Sequence, residues 1–141
     1  MRTVYQEQMR IFAHELAVMA DQVRQMMSQA CDALFNQDID TAEQVLTSVT
    51  AIEELRQSAE TRSFELLALE GPVARDLRQV VSGTCIVEDL ARRAALAVHI
   101  ARTARRRHRE SAVPEITQPY CRGRARLVDG IGEKLHDVLV T

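Results

Sequence analysis

The strongest constraint on the fold of this chain is an apolar stripe near its N-terminus that recurs in alternating steps of four and three residues. The stripe consists of Tyr5, Met9, Phe12, Leu16, Met19, Val23, Met26, Ala30 and Ala33. A repeat that averages 3.5 residues lies along one face of an α-helix, which at about 1.5 Å per residue would be roughly 45 Å long. Because methionine fills irregular gaps in helical cores, this stripe predicts a packed core rather than a binding surface.

A second helix is predicted after a short break. Residues 36–38 interrupt the first stripe, and Asp40 with Glu43 matches a capping box in which Asp40 is the N-cap. The second stripe then contains Ala42, Val45, Val49, Ile52, Ala59 and Leu66, with Arg56 and Ser63 as weaker members. Gly71 and Pro72 mark its end, because glycine suits a helix C-terminus and proline suits the first turn of the next helix.

Two further stripes predict a third, long helix and a fourth, shorter one. The third stripe contains Val73, Leu77, Val80, Thr84, Val87, Ala91, Ala94, Val98 and Ala101, and the fourth contains Leu127, Ile131, Leu135 and Val138. Three long helices with short connections must lie antiparallel, so we predict an all-α fold: an antiparallel up-down three-helix bundle plus an additional fourth helix. The apolar stripe of the fourth helix must pack against another surface, which is either the same bundle or a second subunit. We expect a homodimer.

The composition argues against several classes of protein. The formal net charge of -2 argues against bulk attraction to nucleic acid or to a membrane surface. Cys31, Cys85 and Cys121 are scattered and form no CxxC pair, a usage that suits a reducing compartment. The N-terminus does not read as a signal peptide, and no stretch approaches the roughly 18 apolar residues of a membrane span. We therefore expect a soluble, cytoplasmic protein.

Signatures of catalysis are weak. His14 and Glu15 begin like a zinc-protease helix, but Val18 stands where the second histidine is needed. The sequence contains no glycine-rich phosphate loop, and no spacing suggests a nucleophile beside its base. We expect no enzymatic activity.

The last helix offers one alternative metal site. Asp129, Glu133 and Asp137 lie four residues apart on one helix face, where carboxylates could bind a hard cation with His136 or His99 as a further ligand. A solvent-exposed acidic face explains the same spacing. Glu133 and His136 also have the Glu-x-x-His spacing of di-iron bundles, but such a site needs two copies of the motif.

The most distinctive stretch of the chain lies between Leu66 and Leu90. It reads LLALEGPVARDLR at residues 66–78, then VVS at 80–82, and it ends in Asp89-Leu90. In these motifs, in the MRTVY start and in residues 135–139, the chain resembles the PhoU family. The resemblance implies tandem three-helix repeats, with residues 1–110 as one repeat and residues 111–141 as a linker and the first helix of an incomplete second repeat.

The resemblance also implies a function in phosphate uptake and phosphate-starvation signalling. PhoU-like proteins are non-catalytic adaptors between the ATPase subunit of the phosphate transporter and a sensor histidine kinase, and they dampen the starvation response. Arg75, Asp76 and Arg78 match the Arg-Asp-Leu-Arg motif of the family, so we expect them to contact a partner. Salt bridging within the helix is the alternative interpretation of the same residues.

The sequence departs from the family at its metal site. Many PhoU-like proteins bind metal clusters through a Glu/Asp-x-x-x-Asp motif in the third helix, since residues i and i+4 can reach one metal. Here the two ligand positions are Ala91 and Ala95, with Arg93 between them. A methyl group cannot coordinate a metal, so we expect neither metal nor cofactor there. Two alternatives stay open: a metal- or phosphate-binding bundle, and a truncated paralogue that modulates a full-length relative.

Overall fold

The computed structural model describes residues 2–70, 74–107, 109–110 and 112–140. These residues form helices α1 (Arg2–Asn36), α2 (Ile39–Thr47), α3 (Val49–Glu70), α4 (Ala74–Arg106) and α5 (Gln118–Val140), with one 3₁₀ turn at Glu115–Thr117. No strand occurs among them, so the all-α prediction is confirmed. None of the helices in this part of the chain has the length and apolar content that crossing a membrane requires.

Helix α1 is the central element, because it packs against all four other helices. The chain turns back after α1, and Arg62 far along α3 bonds Glu15 near the start of α1, with Nε 2.9 Å from Oε1. The chain then turns again, so that Arg105 near the end of α4 lies 3.5 Å from Glu43 of α2. Helices α1, α2 with α3, and α4 therefore form the predicted up-down-up bundle.

Helix α5 lies on the outside of this bundle. Within the described residues its backbone lies beside α1 and the 3₁₀ turn that precedes it, and the side chain of Arg93 on α4 also reaches it. The guanidinium of Arg122 lies 4.6 Å from the centre of the Phe35 ring, and Asp129 accepts a hydrogen bond from Arg24. Because residue numbers rise along α5 while they fall along α1, the two helices are antiparallel.

The junction between α1 and α2 differs from the sequence prediction in its N-cap. Gln37 has a positive φ of 55°, and the Asp38 N–H donates to the carbonyl of Ala33 at 3.1 Å, which is the Schellman ending of a helix. The N-cap is Asp38, whose carboxylate accepts from the Thr41 N–H at 3.2 Å and from the Thr41 hydroxyl at 2.7 Å. The prediction that Asp40 caps the helix was wrong, because the tight end of α1 lets α2 begin at Ile39.

The predicted second helix is divided at Ser48. The Ser48 N–H is shared between the carbonyls of Gln44 and Val45, both at 3.1 Å, which tightens the helix at this point. Val49, which was predicted to be a core residue, is exposed immediately after the tightened turn. Its neighbours in the stripe are buried as predicted: Ala42, Val45, Ile52, Ala59 and Leu66.

The core follows the predicted α1 stripe closely and the α4 stripe in part. All predicted α1 positions are buried except Met9, which packs against the core half-buried. On α4 the buried positions are Val80, Gly83, Val87, Leu90, Ala94, Ala97, Ala101 and Ala104. This stripe shares four members with the predicted one, whereas Leu77 is exposed and Ala91 is half-buried. Gly71, Pro72 and Val73 lie outside the described residues.

The predicted stripe of the last helix is mostly left uncovered by the described part of the bundle. Leu127, Ile131 and Val138 of its predicted stripe are exposed, and only Leu135 is partly covered. Helix α5 contacts α1 through a neighbouring face that includes the buried Gly132, where a Cβ would lie 3.4 Å from Cγ of Arg24. The atoms nearest to such a Cβ belong to the side chains of Arg93 and Arg24, so the glycine leaves room for these two arginines between the helices.

Candidate partner-docking groove

Two of the three residues predicted to contact a partner lie on one groove. Arg75 and Arg78, both in the first two turns of α4, line an open groove of 760 Å³ at one end of the bundle. Arg10 of α1 lines the same groove, and Asp76 of the motif does not. We call this feature the RDLR groove. The sequence motif thus supplies two cations to one surface, while its carboxylate lies elsewhere.

The floor of the RDLR groove is apolar and is built by three helices. Its apolar residues are Met9, Phe12, Ala13 and Leu16 of α1, Ile86 of α4, and Val138 and Leu139 of α5. Gly83 fixes the spacing of α1 and α4 here, because a Cβ at this position would lie 2.4 Å from Cε1 of Phe12. A contact that short requires the buried Phe12 ring to move, so only glycine suits this packing.

The three arginines that line the groove differ in whether a carboxylate pairs with them. Glu7 forms a bidentate ion pair with Arg10, and this hydrogen bond lowers the pKa of Glu7 below its usual value. Arg75 and Arg78 form no ion pair with any residue that the structure describes. The alternative in which the Arg-Asp-Leu-Arg motif salt-bridges with itself is therefore absent from the described part of α4. Two exposed cations that have no counter-ion among the described residues border an apolar floor.

The two positions that the family resemblance aligns with metal ligands lie farther along α4. Ala91 is half-buried and Ala95 is exposed. Arg93, which lies between them in sequence, extends its guanidinium toward α5, so that a Cβ at Gly132 would be 3.3 Å from Nη1 of Arg93. A cation thus occupies the space between α4 and α5.

The alternative metal ligands on α5 are not gathered around one point. Asp129 is engaged by Arg24, with Oδ1 3.0 Å from Nε, and this bond raises the pKa of Arg24. His136 and Asp137 are neighbours on α5, with 3.8 Å between Nδ1 and Oδ1. Over the described residues, no group of three or more His, Cys, Asp and Glu side chains is placed to hold a metal ion. Binding of a metal by Asp129, Glu133 and Asp137 stays a prediction.

A second groove was not foreseen from the sequence. It has a volume of 670 Å³ between α1, α4 and α5, and its basic residues are Arg92, Arg93, His99 and Arg124. Its arginines come from two helices, and Arg124 is about thirty positions from Arg92 and Arg93 in sequence, so spacing alone could not bring them together. Its apolar lining includes Leu34, Phe35, Leu96, Ile100 and Val128.

The sequence profile of the PhoU domain matches residues 16–104 of this chain, the part that contains most of α1, all of α2 and α3, and nearly all of α4. The chain belongs to the PhoU family. The matched region includes Arg75, Arg78 and Gly83, which all line the RDLR groove. The predicted family assignment is therefore confirmed.

Several named relatives are similar to the whole of this PhoU-family chain. The "phosphate-specific transport system accessory protein PhoU homolog 2" of Mycobacterium tuberculosis H37Rv is 38% identical over 141 residues, which cover 100% of this chain and 66% of that protein. The "PhoU homolog 1" of Mycobacterium leprae is 38% identical, with coverage of 100% and 64%. An Aquifex aeolicus PhoU homolog is 35% identical over 86 residues, 61% of this chain and 39% of that protein.

The chain thus spans slightly less than two thirds of the length of these mycobacterial relatives. No solved structure gives a significant match to it.

Proposed function

We propose that this chain is a non-catalytic, cytoplasmic adaptor that regulates phosphate uptake and phosphate-starvation signalling. Its partners would be the sensor histidine kinase and the ATPase subunit of the phosphate transporter, and its effect would be negative regulation of the starvation response. Support for the phosphate system comes from membership of the PhoU family and from the names of the relatives. The proposed division of the chain is a three-helix repeat at 1–110 and the start of a second repeat at 111–141.

The single observation that carries the mechanism is a pair of cations, unpaired with any described residue, beside the apolar floor of the RDLR groove. Arg75 and Arg78 stand at the rim, and the floor is open enough to receive side chains of a helix or an extended segment. Apolar side chains of a partner would fill the floor, and its carboxylates would pair with the two guanidiniums. The groove therefore fits an acidic, partly apolar segment of the kinase or of the ATPase.

The experiment is a binding titration of the purified chain against the cytoplasmic region of the kinase and against the ATPase subunit. Reversal of both rim charges, Arg75→Glu with Arg78→Glu, is expected to weaken binding at least about tenfold, because each contact turns from attraction to repulsion. The remaining affinity should depend less on salt than that of the unaltered chain. Circular dichroism would establish that the variant keeps its helices.

A matched control is available on the same helix. Arg102→Glu with Arg106→Glu makes the same charge change near the far end of α4, where both side chains are exposed. We expect this control to bind as the unaltered chain does, and Asp76→Asn to have little effect because Asp76 does not line the groove. Equal losses in the two double variants would point to net charge alone and would contradict docking in the RDLR groove.

A further inference from the structure

Four large apolar side chains are exposed at the end of the bundle where α3 ends and α4 begins. Their exposed fractions are 70% for Phe64, 50% for Val81, 41% for Leu77 and 37% for Leu67. Two of them are neighbours on the surface of α3 and two are neighbours on α4, because residues three or four apart lie on the same side of a helix. We call these four residues the α3–α4 patch.

The register of the two helices brings these pairs together. Helix α3 packs beside α4, and Nη1 of Arg56 on α3 lies 3.7 Å from Oε1 of Glu88 on α4. Residue numbers rise along one helix and fall along the other, so the same register places Leu67 opposite Leu77. The apolar pair of α3 therefore lies against the apolar pair of α4. Single exposed apolar residues are common on protein surfaces, whereas a group of them marks a site of interaction.

An acidic cluster lies next to the α3–α4 patch and is centred on Arg56. The guanidinium of Arg56 donates hydrogen bonds to Glu53, with 2.6 Å between Nη2 and Oε1, and to Glu60, with 2.7 Å between Nη1 and Oε1. The hydrogen bond from Arg56 lowers the pKa of Glu53, so this carboxylate stays ionised. Together with Glu88, three carboxylates share one guanidinium, which leaves an excess of two negative charges. Glu60 is one helical turn from Phe64, so the charge borders the apolar side chains.

The α3–α4 patch and the RDLR groove lie on different sides of α4. With 3.6 residues per turn, the groove residues Gln79, Ser82 and Ile86 are roughly 100–180° around the helix axis from Leu77 and Val81. Arginines border the groove, whereas carboxylates border the patch. The two surfaces therefore favour partner segments of opposite charge.

The three-helix bundle does not need the α3–α4 patch for its own stability. Phe64 and Val81 are at least half exposed and add little to the core, and ion pairs that are partly exposed stabilise a protein only weakly. Both features acquire a purpose when a partner covers them. Apolar side chains gain from leaving water, and the carboxylates gain cations to pair with.

We propose that the α3–α4 patch and the acidic cluster form a second docking surface, which binds a basic and partly apolar segment of a protein partner. Apolar side chains of that segment cover Phe64 and Val81, and its lysines or arginines pair with Glu60 and Glu88. This inference rests on the proposed adaptor function for the identity of the partner. One of the kinase and the ATPase binds in the RDLR groove, and the other binds on the α3–α4 patch at the same time.

The first test uses a probe that does not depend on the phosphate system. The probe is a helical peptide of about four turns with leucine and lysine on one face, and its control carries glutamate in place of each lysine. In NMR titrations of the full chain, the lysine peptide should shift the amide signals of Phe64, Val81 and Glu88, and the glutamate peptide should not. No shift at these residues, or equal shifts with both peptides, would overturn the proposal.

A pair of double variants tests the apolar part of the surface. Phe64→Ser with Val81→Ser should weaken binding of the lysine peptide at least about tenfold, because it removes the two most exposed side chains of the patch. Val4→Ser with Leu96→Ser is the matched control, since these side chains are 62% and 54% exposed elsewhere on the bundle. Equal losses in the two variants would refute docking on the patch.

A second pair of variants tests the charges. Glu60→Gln with Glu88→Gln should weaken binding of the lysine peptide about threefold and make it less dependent on salt. Glu54→Gln with Glu65→Gln removes the same charge from another side of α3 and should leave the affinity nearly unchanged. The same loss in both variants would mean that net charge alone attracts the peptide.

The last test uses the kinase region and the ATPase subunit. Phe64→Ser with Val81→Ser should weaken one of them at least about tenfold, Arg75→Glu with Arg78→Glu should weaken the other, and the unaltered chain should bind both together. A chain that binds neither partner contradicts the proposed function, while the peptide titration still decides whether the second surface exists. Competition between the two partners for one surface would overturn the proposal. So would self-association that the Ser variant abolishes, because the patch would then belong to a second copy.

Discussion

Helices α4 and α5 both pack against α1, yet they use their apolar residues in opposite ways. In α4 the stripe from Val80 to Ala104 is buried between α1, α2 and α3. In α5 the large apolar residues of the predicted stripe face solvent, and the helix contacts α1 through a face that contains Gly132. An apolar pattern thus identifies a face suited to burial, whereas the neighbouring surface decides which face is covered.

The largest expected difference between the two helices concerns leucine truncation. Leu90→Ala on α4 should lower the free energy of unfolding by about 2–5 kcal/mol, because Leu90 is buried in the core. Leu127→Ala on α5 should change it by less than about 0.5 kcal/mol in the monomer. Urea denaturation at low protein concentration measures both. Similar losses for the two variants would mean that the predicted stripe of α5 is buried within the chain.

The second difference concerns the sign of a glycine-to-alanine change. Gly83→Ala should destabilise the protein by up to about 2 kcal/mol, because overpacking against Phe12 outweighs the gain in helix propensity. Gly130→Ala should stabilise the monomer by about 0.5–1 kcal/mol, since its Cβ would meet open space. Thermal unfolding of the two variants measures the sign of each change in stability. If both changes had the same sign, the close approach of α1 and α4 at Gly83 would be in doubt.

A smaller effect is expected from the ion pair that ties α5 to α1. Asp129→Asn removes the charge that pairs with Arg24, so the amides of α5 should exchange with solvent faster while those of α4 stay protected. Glu133→Gln is the control on the same helix, because Glu133 attracts Arg24 more weakly than Asp129 does and forms no ion pair with it. Equal exchange rates in the two variants would show that packing alone holds α5 in place.

The smallest effect is local to the junction of α1 and α2, away from both helices in the comparison. The bonds from the Thr41 hydroxyl and N–H lower the pKa of Asp38 below its ordinary 3.8. A carboxyl with a lowered pKa in the folded state contributes stability above that ordinary value, and the contribution is lost as the pH falls through the folded pKa. Asp38→Ala should therefore reduce stability at pH 7 and remove this component of acid sensitivity below about pH 4.

The control for this prediction is Asp40→Ala, at the position that the sequence pattern favoured as the cap. It should leave both the stability at pH 7 and its acid dependence nearly unchanged. A larger loss from Asp40→Ala than from Asp38→Ala would restore the N-cap predicted from the sequence.

Much of the fold could be predicted because helical periodicity is a local property. The α1 stripe and the three-helix arrangement follow from spacing and from short connections, and the structure confirms them. The N-cap could not be predicted in the same way. Both Asp38 and Asp40 are suitable caps, and the choice depends on Gln37 ending α1 in a left-handed conformation.

The candidate site was predictable in part for a similar reason. The family motif pointed to Arg75 and Arg78. That these two arginines line the same groove as Arg10 could not be predicted, because it depends on α1 and α4 lying side by side. The second basic groove was missed, because Arg93 and Arg124 meet only when α5 folds back along α1. Contacts between residues so far apart in sequence leave no signal in spacing.

By itself, the sequence determined the helical class, the core face of α1, the membership of the PhoU family and the absence of carboxylates at positions 91 and 95. These properties depend on side-chain chemistry and on periodicity within one helix. Tertiary structure alone decided which face of α5 is covered and which cations share a groove. The reason is physical: periodicity within α5 marks more than one face that could be buried, and the side chains of Arg24 and Arg93 lie against the face that contains Gly132.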